Sequence, residues 1–243
     1  MKNLIKTILQ TLLGYETYLF VFAKYKIRNL KTDKKEKDFF AFLDAVKGEG
    51  DLLDVGANIG IMTYHMSKRF PRKTTMAIEP MPSNIEVLMK VIQKYDLSNV
   101  EMIPMAVGDQ EDQEIKMILP KKGKVKMQGL AHVKHESITE WNEGDEYTVM
   151  SDTLDQLCIG RKIAGIKMDI ENYEFFALKG AQELLIRDKP VVYLELWKNE
   201  NRDNCFDFLL NLGYKAYVTT EKGLVLYTEN ITDKQNFIFI HHD

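Results

Sequence analysis

The segment 51–60 constrains the fold more than any other part of the chain. It reads DLLDVGANIG, an apolar run that ends in an acid and opens into a loop with Gly56, Asn58 and Gly60. Glycines let the backbone turn sharply and approach a ligand closely. A helix predicted over residues 61–70 would point its first amide groups at that ligand. This order of strand, loop and helix predicts a nucleotide-binding α/β sheet.

The spacing of the loop residues narrows the class of ligand. A dinucleotide site favours the pattern G-x-G-x-x-G, whereas Asn58 occupies the middle glycine position here and Ile61 the last. A Gly-x-Asn-x-Gly loop preceded by Asp54 suits a nucleoside without phosphate, such as S-adenosylmethionine. The next predicted strand ends in Glu79 and Pro80, where an acid can accept hydrogen bonds from ribose hydroxyls. The sequence therefore predicts S-adenosylmethionine as the cofactor.

A run of further motifs resembles one enzyme family. The motifs are, in order, DVGANIG, AIEPMPSN, NVEMIPMAVGD, TLDQL, IKMDIENYEFFALKGAQELL and KPVVYLELW. Together they span about residues 50–215 and resemble the FkbM family of S-adenosylmethionine-dependent methyltransferases. The resemblance implies a Rossmann-like methyltransferase domain that methylates hydroxyl groups, commonly on sugars or small natural products. This chain has Asn172 where the family usually has glycine, and asparagine tolerates a left-handed backbone better than most other residues.

Composition agrees with a single main α/β domain. The chain has 243 residues, of which 45% are hydrophobic, which is enough for one sizeable core. Its formal net charge of −3 gives no general case for binding nucleic acid. Cys158 and Cys205 cannot form a disulfide framework, and neither has the spacing of a metal ligand. A reducing cytoplasm is the simplest compartment for such a chain.

Residues 1–37 are predicted to form a separate amphipathic helical segment with a basic connector, before a methyltransferase domain over residues 38–243. Apolar residues recur there at helical spacing, namely Leu4, Ile5, Ile8, Leu9, Leu12 and Leu13. Polar residues interrupt this pattern too often for a bilayer span. Packing on the catalytic domain or on a second copy of the chain is the simpler expectation. Peripheral attachment to a membrane is the alternative.

From residue 50 the chain alternates between predicted strands and helices. Strands are expected at 52–55, 75–79, 100–107, 164–169 and 191–196, followed by an antiparallel pair at 215–219 and 236–241 with a hairpin partner at 223–228. This pattern predicts a doubly wound, mostly parallel, seven-stranded sheet with an antiparallel C-terminal strand.

Residues 113–151 do not follow the helical pattern of a crossover. They alternate instead, which predicts a β-rich insertion between strands three and four, above the strand ends where ligands bind. Basic residues cluster in it: Lys121, Lys122, Lys124, Lys126, His132, Lys134 and His135. These residues either recognise an anionic acceptor, such as an acidic or phosphorylated sugar, or form a solvated basic loop.

Methylation of a hydroxyl requires a group that removes its proton. Asp169 and Glu171 end the fourth strand and Glu195 ends the fifth, so all three acids are placed to face the reaction. We predict that Glu171 is the base and that Asp169 positions the donor and the acceptor, with His132 or His135 as the second choice of base. Asp109 is predicted either near the adenine ring or as a turn residue.

The sequence alone leaves two alternatives to a metal-free enzyme. In the first, Asp169 and Glu195 bind Mg²⁺, which would acidify the acceptor hydroxyl. In the second, the chain is a module that binds S-adenosylmethionine without catalysis.

Overall fold

The structure is a computed structural model that describes residues 10, 12–33, 36–123, 125–228, 230–231 and 233–242. The proposed apolar pattern at Leu4, Ile5, Ile8 and Leu9, and the loop residue Lys124, lie outside the described residues.

The described residues form thirteen strands and eight α-helices. The strands are β1 Asp51–Val55, β2 Thr75–Ile78, β3 Val100–Ile103, β4 Ala106–Val107, β5 Gln113–Lys122, β6 Val125–Lys126, β7 His132–Val133, β8 Gly144–Asp152, β9 Ile163–Met168, β10 Val191–Glu195, β11 Tyr214–Thr220, β12 Gly223–Leu226 and β13 Asn236–His241. The helices are α1 Tyr15–Asn29, α2 Lys37–Ala45, α3 Ile61–Arg69, α4 Pro82–Tyr95, α5 Leu154–Leu157, α6 Glu174–Lys179, α7 Gln182–Asp188 and α8 Glu200–Asn211. Short 3₁₀ turns occupy Leu30–Thr32 and Gln128–Leu130.

The main sheet confirms the predicted α/β class. Its spatial order is β12-β11-β13-β10-β9-β1-β2-β3, with parallel pairing from β3 through β10 and β13 antiparallel to both of its neighbours. The described part has eight strands rather than seven, because the hairpin strand β12 also pairs with β11. The order reverses at β1, and the adjacent ends of β1 and β9 are where such sheets bind ligands.

The central strands are apolar because helices cover both faces of the sheet. Strand β9 is buried along its whole length, and alternate residues of β1 face two different cores. Leu53 and Val55 pack with the helices of one face, whereas Leu52 packs with Phe39 and Phe42 of α2 on the other. The carboxyl ends of these strands are thereby held rigidly at one edge of the sheet.

Helix α1 packs on this domain. Its buried residues Tyr18, Leu19, Ala23 and Ile27 share a core with side chains of α3, α4 and their flanking loops. Helix α1 is therefore integrated with the sheet domain, whereas Leu12 and Leu13 before it are exposed. None of the described helices is both long and apolar enough to cross a bilayer. Contact of this segment with a membrane or with a second copy stays a prediction, as does a domain boundary at residue 37.

The insertion forms its own small sheet, as expected for residues 113–151. Strands β5 and β8 pair antiparallel over most of their length, and β6 and β7 pair with β5. The prediction of one strand over residues 100–107 is wrong, because the chain leaves the main sheet after Ile103. Ala106 and Val107 pair instead with β8 of the insertion. This switch brings the insertion over the carboxyl edge of the main sheet.

Candidate active site

The glycine-containing loop after β1, residues 56–60, has left-handed backbone angles at its glycines and at Asn58. Gly56, Asn58 and Gly60 all have positive φ angles, of 73°, 51° and 81°. A Cβ atom on Gly56 would lie 2.1 Å from the carbonyl oxygen of Asp169, so only glycine fits between the ends of β1 and β9. Gly60 caps α3 and lies against Leu88, away from the cleft described next.

A cleft enclosing about 570 Å³ lies above the ends of β1, β2 and β9. The loop residues Gly56 and Asn58 line it, as do Glu79 and Pro80 after β2. The insertion supplies the opposite wall through residues that include Gln128. The predicted cofactor residues that follow β1 and β2 thus meet in one cavity.

Glu79 anchors the glycine-containing loop. Its carboxylate accepts hydrogen bonds from the backbone amide of Asn58 at 2.8 Å, the amide of Met81 at 2.9 Å and the side-chain amide of Asn84 at 3.0 Å. The side chain is only 4% exposed, and burial raises its pKa although these three bonds favour the charged form. Oε2 accepts only one of the three bonds, so it retains a lone pair that faces ligand-sized space.

Three buried side-chain oxygens along the cleft have no hydrogen-bond partner among the described residues. They are Asn58 Oδ1, Asn84 Oδ1 and Gln128 Oε1. An unpaired buried acceptor costs about 1–3 kcal/mol. A ligand with several N–H and O–H donors, such as an adenosine with its amino group and ribose hydroxyls, would satisfy them. The residues present therefore fit the predicted cofactor.

Asp54 does not line the cleft but supports the glycine-containing loop through buried contacts. It is fully buried, accepts a hydrogen bond from Thr63 Oγ1 at 2.6 Å, and lies 3.1 Å from Lys167 Nζ. Lys167 also donates to the carbonyl of Gly56 at 2.9 Å. Burial alone would lower the pKa of Lys167, but the charges of Asp54 and Asp169 raise it.

Lys167 is the residue that the sequence reasoning missed. The available signal was a lysine inside the otherwise apolar stretch IAGIKM, since a lysine is almost never buried unless it is paired. It lines another cavity, whose lining has five residues in common with that of the main cleft: Gly56, Asn58, Gln128, Gly129 and Asp169.

The two acids that follow β9 lie at the cleft. Asp169 and Glu171 both line it, and Glu171 also lines a smaller adjoining pocket. Glu171 and Asn172 have φ angles of 54° and 72°, so two consecutive left-handed residues form this corner. Asn172 thus adopts the backbone expected of the glycine it replaces, and its side chain accepts a hydrogen bond from Asn199 at 2.7 Å.

Burial and neighbouring negative charges give Glu171 the chemistry of a strong base. Desolvation raises its pKa most, and the charges of Asp169, Glu195 and Glu174 raise it further, to about 9. Burial and Asp169 likewise raise the pKa of Glu195 to about 7. Within the described parts of the chain, no group of three or more histidine, cysteine or acidic side chains is arranged to hold a metal ion.

The two histidines are less suitably placed to act as bases. His132 is 3% exposed, and both ring nitrogens face oxygens, the carbonyl of Leu130 at 2.8 Å and Asn142 Oδ1 at 3.2 Å. His135 lies outside the cleft, where its Nδ1 contacts Ser137 and its ring packs on Tyr173 and Phe176.

Asp109 is not brought to the cleft. It forms an ion pair with Lys179 and is absent from the described residues that line the cavity. The residues of this segment that line the cleft are Met105, Ala106 and Val107. The alternative prediction for Asp109, a turn residue after Gly108, is compatible with this position.

Several lysines of the insertion are paired with acids of the same small sheet. Lys121 and Lys126 contact Asp145, and Lys116 and Lys134 contact Glu146. These pairs are largely exposed, and no lysine or arginine is among the described residues that line the cleft.

Comparisons with known proteins agree with this geometry. The methyltransferase FkbM domain matches residues 54–216. Methyltransferase 1 of Beauveria bassiana (strain ARSEF 2860) is 21% identical, over 54% of this chain and 58% of the relative. The crystal structure of a methyltransferase FkbM from Methylobacillus flagellatus KT superposes with a TM-score of 0.55 at 17% identity, covering 98% of this chain and 59% of that one. The chain therefore spans somewhat more than half the length of these relatives, and the structural likeness supports the fold alone.

Proposed function

The chain belongs to the FkbM methyltransferase family, and we propose that it transfers a methyl group from S-adenosylmethionine to a hydroxyl of a sugar or another small polyol. One observation carries this proposal beyond family membership. Glu171 lies where the cofactor cleft meets a second pocket, so it can contact a methyl donor on one side and an acceptor on the other.

The cleft residues would hold the cofactor by its polar groups. Asn58, Asn84 and Gln128 offer buried oxygens to its N–H and O–H donors, and Glu79 fixes the loop that carries Asn58. When bound, S-adenosylmethionine supplies a methyl group activated by a sulfonium. Asp169 and Glu171, which follow β9, line this end of the cleft, and the positive charge of a bound sulfonium would favour their ionised forms.

Glu171 then acts on the acceptor. Its carboxylate accepts the hydroxyl proton while that oxygen bonds to the methyl carbon and the carbon–sulfur bond breaks, its electron pair staying on sulfur. Asp169 lies between the loop and Glu171 and orients the reacting groups. Holding two reactants in line contributes on the order of 7–11 kcal/mol, and a positioned base about 10²–10⁴-fold.

Methyl transfer from radiolabelled donor tests the proposal. The purified protein is incubated with neutral sugars, acidic sugars, nucleotide sugars and glycolipids, with and without EDTA. Labelled product from a hydroxyl acceptor, unaffected by EDTA, is the expected result. Labelling that EDTA abolishes would favour Mg²⁺ bound by Asp169 and Glu195. Cofactor binding without any methylated product would favour the non-catalytic module.

The proposed function extends to the cellular compartment and the partners of the protein. Cys158 and Cys205 are both buried and unpaired, which supports a reducing compartment such as the cytoplasm. A small-molecule or glycan acceptor is the expected partner.

Glu79→Ala should weaken binding of S-adenosylhomocysteine by about 1.5–3 kcal/mol, or roughly 10- to 150-fold in Kd. The variant loses the anchor of the glycine-containing loop together with the ribose contact. Calorimetric titration measures the change, with Glu86→Ala as the matched control because Glu86 is an exposed acid on the adjoining helix α4. Should the alanine variant not fold, Glu79→Gln serves in its place. Unchanged affinity would remove Glu79 from the site.

A further inference from the structure

A second pocket adjoins the cofactor cleft at Glu171. It is a small, partly open depression that encloses about 310 Å³ when the adjoining open solvent is counted. Trp141 of the insertion and Trp197, which follows β10, both line it. These are the two tryptophans of the whole chain, and they come from segments far apart in sequence.

Both tryptophans are unusually open to solvent for such large rings. Trp141 is 44% exposed and Trp197 is 37% exposed. Trp141 also has a φ angle of 60°, a conformation that is costly for a bulky residue and that persists only where its surroundings enforce it. Strain of this kind clusters at ligand-binding sites.

Hydrogen bonds hold each tryptophan segment in place. Asn142, next to Trp141, donates to the carbonyl of Ile138 at 2.9 Å and contacts His132 Nε2 at 3.2 Å. Asn199, two residues after Trp197, donates to Asn172 at 2.7 Å. The buried imidazole of His132 thus positions the loop that carries Trp141. This is a structural role for a residue that the sequence suggested as a base.

The charge of the pocket limits what can enter it. Glu140 and Glu171 are its ionisable carboxyl groups, and no lysine or arginine is found among the described residues that line it. Lys121 and Lys134 of the insertion are paired with Asp145 and Glu146. An acidic or phosphorylated acceptor would therefore meet acidic side chains and no lysine or arginine among the described residues of the pocket.

We infer that the pocket between Trp141 and Trp197 is the acceptor site, and that it takes an uncharged polyhydroxy ring rather than an anionic one. The inference rests on the proposed function. Indole faces carry partial negative charge and attract the weakly positive C–H face of such a ring, while its hydroxyls reach Glu140, Glu171 and Asn172 at the rim. The ring hydroxyl nearest Glu171 is the one that lies beside the cofactor cleft.

Tryptophan fluorescence reports this pocket directly, because the chain has no tryptophan elsewhere. The protein, saturated with S-adenosylhomocysteine, is titrated with a panel of neutral sugars and polyols and with their uronic-acid counterparts. A saturable change with at least one neutral member, and a weaker or absent response to its acidic counterpart, is expected. A response confined to acidic members, or to no member of the panel, would overturn the inference.

Substitution of each tryptophan then tests whether its indole ring contributes to sugar binding. Trp141→Ala and Trp197→Ala should each raise the Kd for the responding sugar about 10-fold or more by calorimetry, with partial recovery in the phenylalanine variants. Affinity for S-adenosylhomocysteine should stay unchanged. Tyr25→Ala, which removes an exposed ring of α1 outside the pocket, is the control. Sugar affinity that survives both alanine variants would contradict the assignment. Sugar binding without methyl transfer would instead count against the proposed function.

Discussion

Glu171→Gln should lower turnover by about 10²–10⁴-fold while leaving cofactor affinity unchanged. The amide keeps the shape and most of the hydrogen bonding of the carboxylate but cannot accept the hydroxyl proton. Single-turnover methyl transfer with saturating donor isolates the chemical step, and calorimetry with S-adenosylhomocysteine checks binding. Turnover within about 10-fold of the wild type would remove Glu171 as the base and return attention to the histidines of the insertion.

The pH dependence of the same reaction gives a second test. Because burial and neighbouring acids raise the pKa of Glu171 to about 9, the free protein holds this group protonated at neutral pH. A base must be deprotonated, so kcat/KM should rise with pH towards that value in the wild type and should be flat over this range in Glu171→Gln. The positive sulfonium of the bound donor lowers the pKa, so kcat should reach its plateau at lower pH than kcat/KM.

Glu195→Gln is the matched control for these experiments. Glu195 is another acid with a raised pKa at a strand end, but it lies outside the cleft and the tryptophan pocket. Turnover of this variant should stay within about 10-fold of the wild type, a change of less than about 1.4 kcal/mol in the barrier. A loss as large as that of Glu171→Gln, together with sensitivity to EDTA, would favour the metal-assisted alternative.

Lys167→Met should lower the free energy of unfolding by about 3–5 kcal/mol, because it leaves the buried carboxylate of Asp54 without its cation. Methionine has a similar length, so the change tests charge rather than volume. The loss of the bond to the Gly56 carbonyl should also loosen the glycine-containing loop and weaken cofactor binding. Urea denaturation monitored by circular dichroism measures the stability.

The double variant Asp54→Asn, Lys167→Met separates charge from packing. Asparagine can still accept the hydrogen bond from Thr63, and no buried charge remains in the pair. The double variant should therefore be more stable than Lys167→Met alone. Equal stability of the two variants, or a loss below about 1 kcal/mol in the single variant, would show that the pair does not hold the loop.

Residue patterns within short segments predicted the elements of this fold that depend on local sequence. Apolar runs that end in Gly or acid located the central strands, and the alternation in residues 113–151 identified the insertion. The left-handed backbone at Asn172 agrees with the glycine position that it occupies in the family pattern. The strand over residues 100–107 was misplaced because both halves of that segment are compatible with a sheet, and only tertiary pairing assigns Ala106 and Val107 to the insertion.

Several contacts at the site join residues that are distant in sequence. Asp109 forms an ion pair with Lys179, and His132 contacts Asn142, and neither contact follows from residue type or spacing. The pair Asp54 and Lys167 forms because β1 and β9 are neighbours in the sheet. The pocket between Trp141 and Trp197 exists only once the insertion folds over the carboxyl edge of that sheet. Sequence patterns specify residue types and spacing, whereas these partnerships depend on topology.

Calorimetric titration of the wild-type protein with S-adenosylmethionine, S-adenosylhomocysteine and NAD tests the central claim most directly. The two sulfur nucleosides should bind at one site with Kd values in the micromolar range, since they can satisfy the buried oxygens of Asn58, Asn84 and Gln128. NAD should produce no binding heat, because the loop with Asn58 in the middle glycine position does not suit a pyrophosphate. Tight binding of NAD, with no response to S-adenosylhomocysteine, would contradict the account.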